Sequence, residues 1–357
     1  MFELDLFPAR DGDALVLTWG ENANPKRILI DAGRESGWLA IKKAYEHLPE
    51  AQRTFELLVV SHIDADHIAG VLKMLADPAR PLRFKEVWFN AYHHLVGGSW
   101  ETFGVAQGEA LSDLLKERPA LWNTRFGGKA VVIEEDAALP RFTIEGLELT
   151  LLSPTRAKLQ ALAPEWKAWL NAEGLGRGQS PDGEAALPTI VPEGYETFGP
   201  LPDVQALADS RQSEDDKAPN GSSIAFAAAY GEKRVLLTAD AHHKVLTSSL
   251  SSVSVNERRF DMVKLSHHGS QGNLSRALLD TLDCHRFAIS TDGSRHHHPD
   301  PEAIARLLLW KLGSKHLYFN YRQEEAVMWD DDRLKQAHDY DCTYSAEENM
   351  GRLTIPI

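Results

Sequence analysis

The chain holds only two cysteines in 357 residues, Cys284 and Cys342, with no C-x-x-C spacing. That excludes a disulfide framework and a cysteine-rich zinc site, and both residues read as buried free thiols. Long apolar runs are also missing. No stretch approaches the ~20 apolar residues that cross a bilayer, and the opening MFELDLFPAR lacks the basic start and apolar core of a signal peptide. The expectation is a cytoplasmic protein with no membrane contact. Positive charge is scarce: 38 Lys and Arg against 52 Asp and Glu leave a net charge of −14. A surface that grips long nucleic acid through many phosphates is therefore not expected. A nuclease is not excluded, because a metal-bearing cleft inverts the local charge.

The 43% of hydrophobic residues and 25% of charged ones are those of a globular chain with a sizeable core. The length suits one large layered domain or two modest ones. MFELDLFPA, ALVLTW and RILIDAG read as strands, WLAIKKAYEHL as a helix and FELLVV as a buried strand, followed by a helix from AGVLKMLA. KEVWFNAY, AVVIEE and LELTLLSP read as further strands. Residues 155–219 begin as a helix and then become rich in Gly, Pro, Ser and acidic residues, as an excursion from a core does. SSIAFAAAY, RVLLTAD, FDMVKLS and HRFAIS resume the strand and helix alternation, and KHLYFNY and RLTIPI close it. Two sheets flanked by helices fit this order.

The densest chemistry is Ser61-His-Ile-Asp-Ala-Asp-His-Ile-Ala-Gly70, directly after FELLVV. His62, Asp64, Asp66 and His67 form H-x-D-x-D-H, a string of imidazoles and carboxylates that suits a divalent ion at a strand-to-helix loop. Asp66 alone, like Asp240 after its apolar strand, reads equally as a helix cap. In an extended His267-His268 pair the two side chains point opposite ways, so only one would reach a common ion.

The string resembles the H-x-H-x-D-H signature of the metallo-β-lactamase superfamily, with Asp64 where a second histidine usually stands. With SH before it and IAG after it, it resembles the hydrolase domain of bacterial DNA-uptake competence proteins (ComEC type) and their stand-alone soluble relatives. RDGDALVL, RILIDAG, Asn220-Gly-Ser-Ser223, Leu236-Leu-Thr-Ala-Asp240, Ser266-His-His-Gly-Ser270 and His298-Pro299 follow in the family's order, so the resemblance runs from about residue 1 to about 312.

The resemblance implies a four-layer αββα metallo-β-lactamase sandwich in one domain over 1–357, with a partly irregular insertion at about 155–219 and a C-terminal extension at about 313–357. It implies one or two divalent ions, Zn or Mn, held by His62, Asp64, Asp66, His67, Asp240 and His267. Asp31, Asn220, Ser223 and Ser266 would support these ligands. Asp66, His268 and His298 would serve catalysis, with His268 at the substrate phosphate or in proton transfer. The activity implied is a metal-dependent phosphodiesterase or nuclease acting through metal-bound hydroxide on a short nucleic acid or nucleotide. The alternative is a weakly active or non-catalytic partner or regulatory component of a bacterial antiphage defence system, bound to a protein from a neighbouring gene. A further histidine expected after LELTLLSP is replaced by Ser153-Pro154; His93 and His94 are the other histidines that could approach.

Overall fold

Apolar residues on both faces of the short strands dictate layers on both sides of each sheet. In a computed structural model, which describes residues 1–96, 106–173, 190–192, 201–349 and 351–357, two large sheets face each other. The first runs in the order Leu353–Pro356, Phe2–Leu6, Leu15–Glu21, Asn24–Ile30, Leu57–Val59, Val87–Trp88. The second runs Tyr340–Tyr344, Lys315–Phe319, Arg286–Ile289, Met262–Lys264, Lys233–Leu237, Ala225–Tyr230, Leu147–Ser153, Arg141–Ile144.

Leu4, Leu17, Trp19, Leu57, Val59 and Trp88 of the first sheet meet Leu149, Phe226, Leu237 and Met262 of the second in the core between them. The opposite faces are covered by helices. Val16, Leu29 and Leu58 pack under Trp38, Ile68, Leu111 and Trp166, from helices Glu35–Tyr45, Ala65–Ala76, Ala106–Lys116 and Arg156–Glu173. Leu236, Val263, Phe287 and Leu317 pack under Leu246, Leu278 and Ile304, from helices His243–Ser251, Arg276–Thr281 and Pro301–Trp310. The four layers are helix, sheet, sheet, helix, the αββα sandwich of the metallo-β-lactamase fold. Past Glu56, the LLVV part of FELLVV is continuously apolar because Leu57 and Val59 face the second sheet while Leu58 faces helices, as a strand buried on both faces requires.

AVVIEE forms no named strand. The backbone N–H of Val131 donates to Asn90 Oδ1 and its carbonyl accepts from Asn90 Nδ2, both at 2.8 Å, so a side chain takes the ladder bonds. KEVWFNAY keeps only Val87–Trp88 as strand and turns into helix Tyr92–Val96. Residues 313–357 supply strands to both sheets, and Leu353–Pro356 pairs antiparallel with Phe2–Leu6. Much of the Gly- and Pro-rich part of the insertion, residues 174–189 and 193–200, lies outside the described residues. Cys284 is buried and Cys342 partly so, both as free thiols. Among the described residues no helix is long and apolar enough to cross a membrane.

Candidate metal centre

The site is built at the carboxyl ends of parallel-running strands from both sheets. Asp31 follows Asn24–Ile30, the 61–67 loop follows Leu57–Val59, Asp240 follows Lys233–Leu237, and Ser266–Gly269 follows Met262–Lys264. Two glycines set the spacing. A Cβ on Gly70 would lie 2.1 Å from the Ala32 carbonyl oxygen, and the Gly70 N–H donates to Gly33 O at 2.8 Å. Thus the IAG and DAG runs are one contact, which presses the start of helix Ala65–Ala76 onto the Asp31 turn. Asp31 uses that closeness: its carboxylate accepts from Ser61 N–H (2.7 Å) and Ser61 Oγ (2.6 Å) and meets His67 Nδ1 at 2.8 Å. A carboxylate behind the ring fixes the tautomer and leaves Nε2 for the site.

His62 Nε2, His67 Nε2 and Asp240 Oδ2 converge, with Asp240 3.8 and 3.5 Å from the two rings. Asp66 Oδ2 lies 3.7 Å from both His67 Nε2 and His268 Nε2, and Asp240 Oδ1 lies 3.7 Å from His268 Nε2. The ligand atoms of His62, His67 and Asp240 lie within 4.8 Å of one another, and so do those of Asp66, His67 and His268. These separations exceed the 2.7–3.2 Å of a hydrogen bond. They match the roughly 3–4 Å between atoms that each lie about 2.1 Å from a shared ion.

Burial sharpens the point. His62 Nε2, His67 Nε2, His268 Nε2 and Asp240 Oδ1 are buried with no hydrogen-bond partner. One such atom costs about 1–3 kcal/mol; four of them within the two neighbouring groups fit bound divalent ions. The donor set, imidazole with carboxylate, suits a divalent metal ion. Burial pushes the Asp66 and Asp240 carboxyls up, but His67 and His268 outweigh it and hold both well below the usual carboxylate range. Burial likewise opposes a charged His67, and Asp240, Asp66 and Asp31 outweigh it and hold the imidazole well above its ordinary value.

The open side of the centre is marked by exposure. The His62 and His67 side chains are 0% exposed and Asp240 3%, against 19% for Asp66, 15% for His267 and 39% for Asp64. Asp64 Oδ2 faces His62 Nε2 at 3.7 Å but belongs to neither three-residue group, and its residue caps helix Ala65–Ala76 without a side-chain cap bond. His267 and His268 are not extended. Both adopt left-handed backbone, φ +48° and +55°, ahead of Gly269, so both rings face Asp240, His267 Nε2 from 3.9 Å. The left-handed turn is held by His267 N–H to Ala239 O at 3.0 Å and Ser270 N–H to His267 O at 2.8 Å. It is His268 that joins Asp66 and His67.

His267 Nδ1 meets Asn273 Oδ1 at 3.0 Å and Asp215 Oδ2 at 3.3 Å, and Asn220 Nδ2 donates to the same Asp215. Ser266 Oγ donates to Ala241 O next to Asp240, and Ser223 Oγ is buried without a partner. His298 stands 5.3 Å from the His267 ring, with Nδ1 at 3.1 Å from Asp300; His297 instead turns outward to Glu325. His94 accepts from Ala91 N–H and meets Gly128 O, which commits both nitrogens to backbone, and His93 packs on Trp122; neither belongs to the metal-binding groups among the described residues.

Sequence reasoning passed over Asp13, Asp215, Lys264, Asn273 and Ser61. A lysine inside the apolar strand FDMVKLS and a second aspartate in RDGD were the available signals; Asp215 had none, lying in an acidic stretch of irregular composition.

Neither a family model nor a curated protein matches this sequence. Solved structures do. CmlA, a diiron β-hydroxylase from Streptomyces venezuelae, overlays with a TM-score of 0.40 at 12% identity, over 100% of this chain and 54% of that one. The likeness is one of fold alone. The chain spans about half the length of that β-hydroxylase. The metallo-β-lactamase fold protein YhfI from Bacillus subtilis gives 0.38 at 9% identity over 96% of each chain. A motif mutant of a metallo-β-lactamase from Cronobacter sakazakii gives 0.31 at 12% identity, over 71% of this chain and 70% of that one. The sheet order and helical layers of the chain itself define its fold, and its own side chains define the centre.

Proposed function

We propose that the chain is a metal-dependent hydrolase of phosphodiesters, a stand-alone relative of the ComEC-type hydrolase domain. The observation that supports this reading is the set of buried, unpartnered Nε2 and carboxylate atoms of His62, His67, His268 and Asp240, beside the more exposed side chains of Asp66, Asp64 and His267. His62, His67 and Asp240 would hold one ion, with Asp64 beside them. Asp66 and His268 would hold a second, with Asp240 shared through its other oxygen. When bound, a pair of divalent ions supplies an activated water and a Lewis acid for the phosphoryl oxygen.

The chain's own residues do the rest. Asp66, ionised and at the mouth, accepts a hydrogen bond from the attacking water and orients it. His298, with Nδ1 fixed by Asp300, would assist the leaving oxygen, and His267, held by Asp215 and Asn273, lies beside it. On this reading His268 is an ion ligand and His267 faces the substrate, the reverse of what the resemblance implies for the pair. The charge of −14 favours a short nucleic acid or nucleotide over a long one.

The test is hydrolysis of bis-p-nitrophenyl phosphate with added manganese. Asp66→Ala and His268→Ala are expected to lower turnover at least ~100-fold with an unchanged circular dichroism spectrum, as loss of a ligand from such a centre does. Turnover within twofold of wild type in both would overturn the reading. The second reading, a weakly active or non-catalytic component of a defence system, is favoured by Ser153 standing where a further histidine is expected. It predicts less than about half an ion per chain, no turnover and stable capture of a partner protein.

A further inference from the structure

Behind the second group lies a charge pair that the proposed chemistry does not use. Lys264 sits inside the parallel strand Met262–Lys264, fully buried, and its ammonium donates to Asp13 Oδ2 across the two sheets. Asp13 is equally buried. A buried ion pair of this kind is rarely worth its desolvation: apolar residues of the same shape usually serve stability as well or better. Its placement therefore calls for a local reason.

The contacts around the pair supply one. Asp13 Oδ1 has no hydrogen-bond partner of its own and lies 3.5 Å from His268 Nδ1, which also meets the Ser290 carbonyl at 2.8 Å. The turn that carries Asp13 presses on Asp66: a Cβ on Gly12 would fall 1.7 Å from the Asp66 carbonyl oxygen. The Gly12 carbonyl in turn accepts from Ser290 Oγ at 3.1 Å, and Lys264 O accepts from Thr238 Oγ1 at 2.6 Å, two residues before Asp240. One turn thus backs both Asp66 and His268, and one lysine ties it to the strand that leads into His268.

We propose that Asp13 and Lys264 are positioning residues for the second ion. The Ser290 carbonyl takes the His268 Nδ1 proton, Asp13 backs the same nitrogen from 3.5 Å and steadies the ring with Nε2 toward the ion, the Gly12 turn sets Asp66 against it, and Lys264 keeps Asp13 in place. Occupancy of that position, and not of the one formed by His62, His67 and Asp240, depends on the pair. The inference rests on the two-ion reading above.

Calorimetric titration of chelator-treated protein with Zn²⁺ tests it. Lys264→Met alone strands a buried carboxylate and Asp13→Asn alone a buried ammonium, so the neutral double variant Asp13→Asn/Lys264→Met is the informative one, read beside the isosteric Asp13→Asn, whose amide oxygen can still accept from Lys264. Wild type is expected to take two ions. Both variants are expected to bind the first ion as wild type does and the second about 10–100-fold more weakly, the usual effect of losing the partner of a ligating histidine. A purely structural role predicts that the double variant, with its charges balanced, binds both ions normally. Second-site affinity within twofold of wild type in either folded variant would overturn the role of the pair. Absence of any bound ion in wild type would instead overturn the metal reading itself.

Discussion

At the scale of single residues the centre is an argument about what each imidazole does with its second nitrogen. His67 gives Nδ1 to Asp31 and His268 gives Nδ1 to the Ser290 carbonyl, and the Nε2 atoms are left facing carboxylates at ion-sharing distance. In the ion-free protein, burial works against a charged His268, but Asp240 and Asp13 outweigh it and, against the pull of Lys264, lift the imidazole to about 9. A base raised from its ordinary 6.5 stays protonated in the folded chain where the unfolded chain has lost its proton. It adds stability that is complete below pH about 6.5 and is lost as pH rises through about 9. Chelator-treated protein is therefore expected to lose Tm between about pH 7 and about pH 9.5, whereas ion-loaded protein, whose ligating imidazole is neutral throughout, does not. Scanning calorimetry at both pH values decides it, and equal slopes for the two forms would contradict the assignment of His268.

At the scale of elements, the strand ends are aimed by glycines more than by hydrogen bonds. Gly70→Ala would place a methyl 2.1 Å from Ala32 O and 2.9 Å from Arg34 O, both backbone atoms that cannot swing away. Separating helix Ala65–Ala76 from the Asp31 turn is expected to cost about 1–3 kcal/mol in urea unfolding and to weaken ion binding as well. A variant as stable as wild type would show that the contact is slack. This contact also shows how far the sequence could be read. The H-x-D-x-D-H loop, the strand FELLVV and Asp240 are legible because a few adjacent residues carry both chemistry and local structure. AVVIEE misleads because its pattern is that of a strand, while Asn90, some 40 residues away, takes its backbone bonds. The His267-His268 turn was illegible for a similar reason: the left-handed backbone that brings both rings inward is held by Ala239, on the neighbouring strand end. Strand Tyr340–Tyr344 was missed because DCTYS has little alternation, and it is held by parallel pairing to Lys315–Phe319.

At the scale of the whole molecule, the sandwich makes one centre out of two half-sites. The first sheet contributes Asp31, His62, Asp66 and His67; the second contributes Asp240, His267, His268 and His298. Each of the two three-residue groups takes ligand atoms from both sheets, so the groups form only when the sheets are packed through Trp88, Phe226 and their neighbours. Residues 313–357 are part of that packing, since they put strands into both sheets. The fold-level pattern was visible in the alternation of the chain; Asp215, embedded in an acidic and irregular stretch, comes to His267 only through tertiary packing. The most direct measurement is the metal content of purified wild-type protein, counted by plasma mass spectrometry after incubation with zinc or manganese and removal of free ions. About two divalent ions per chain are expected, as in a paired centre, and close to none in a variant lacking both His67 and Asp240. Less than about half an ion per wild-type chain would contradict such a centre.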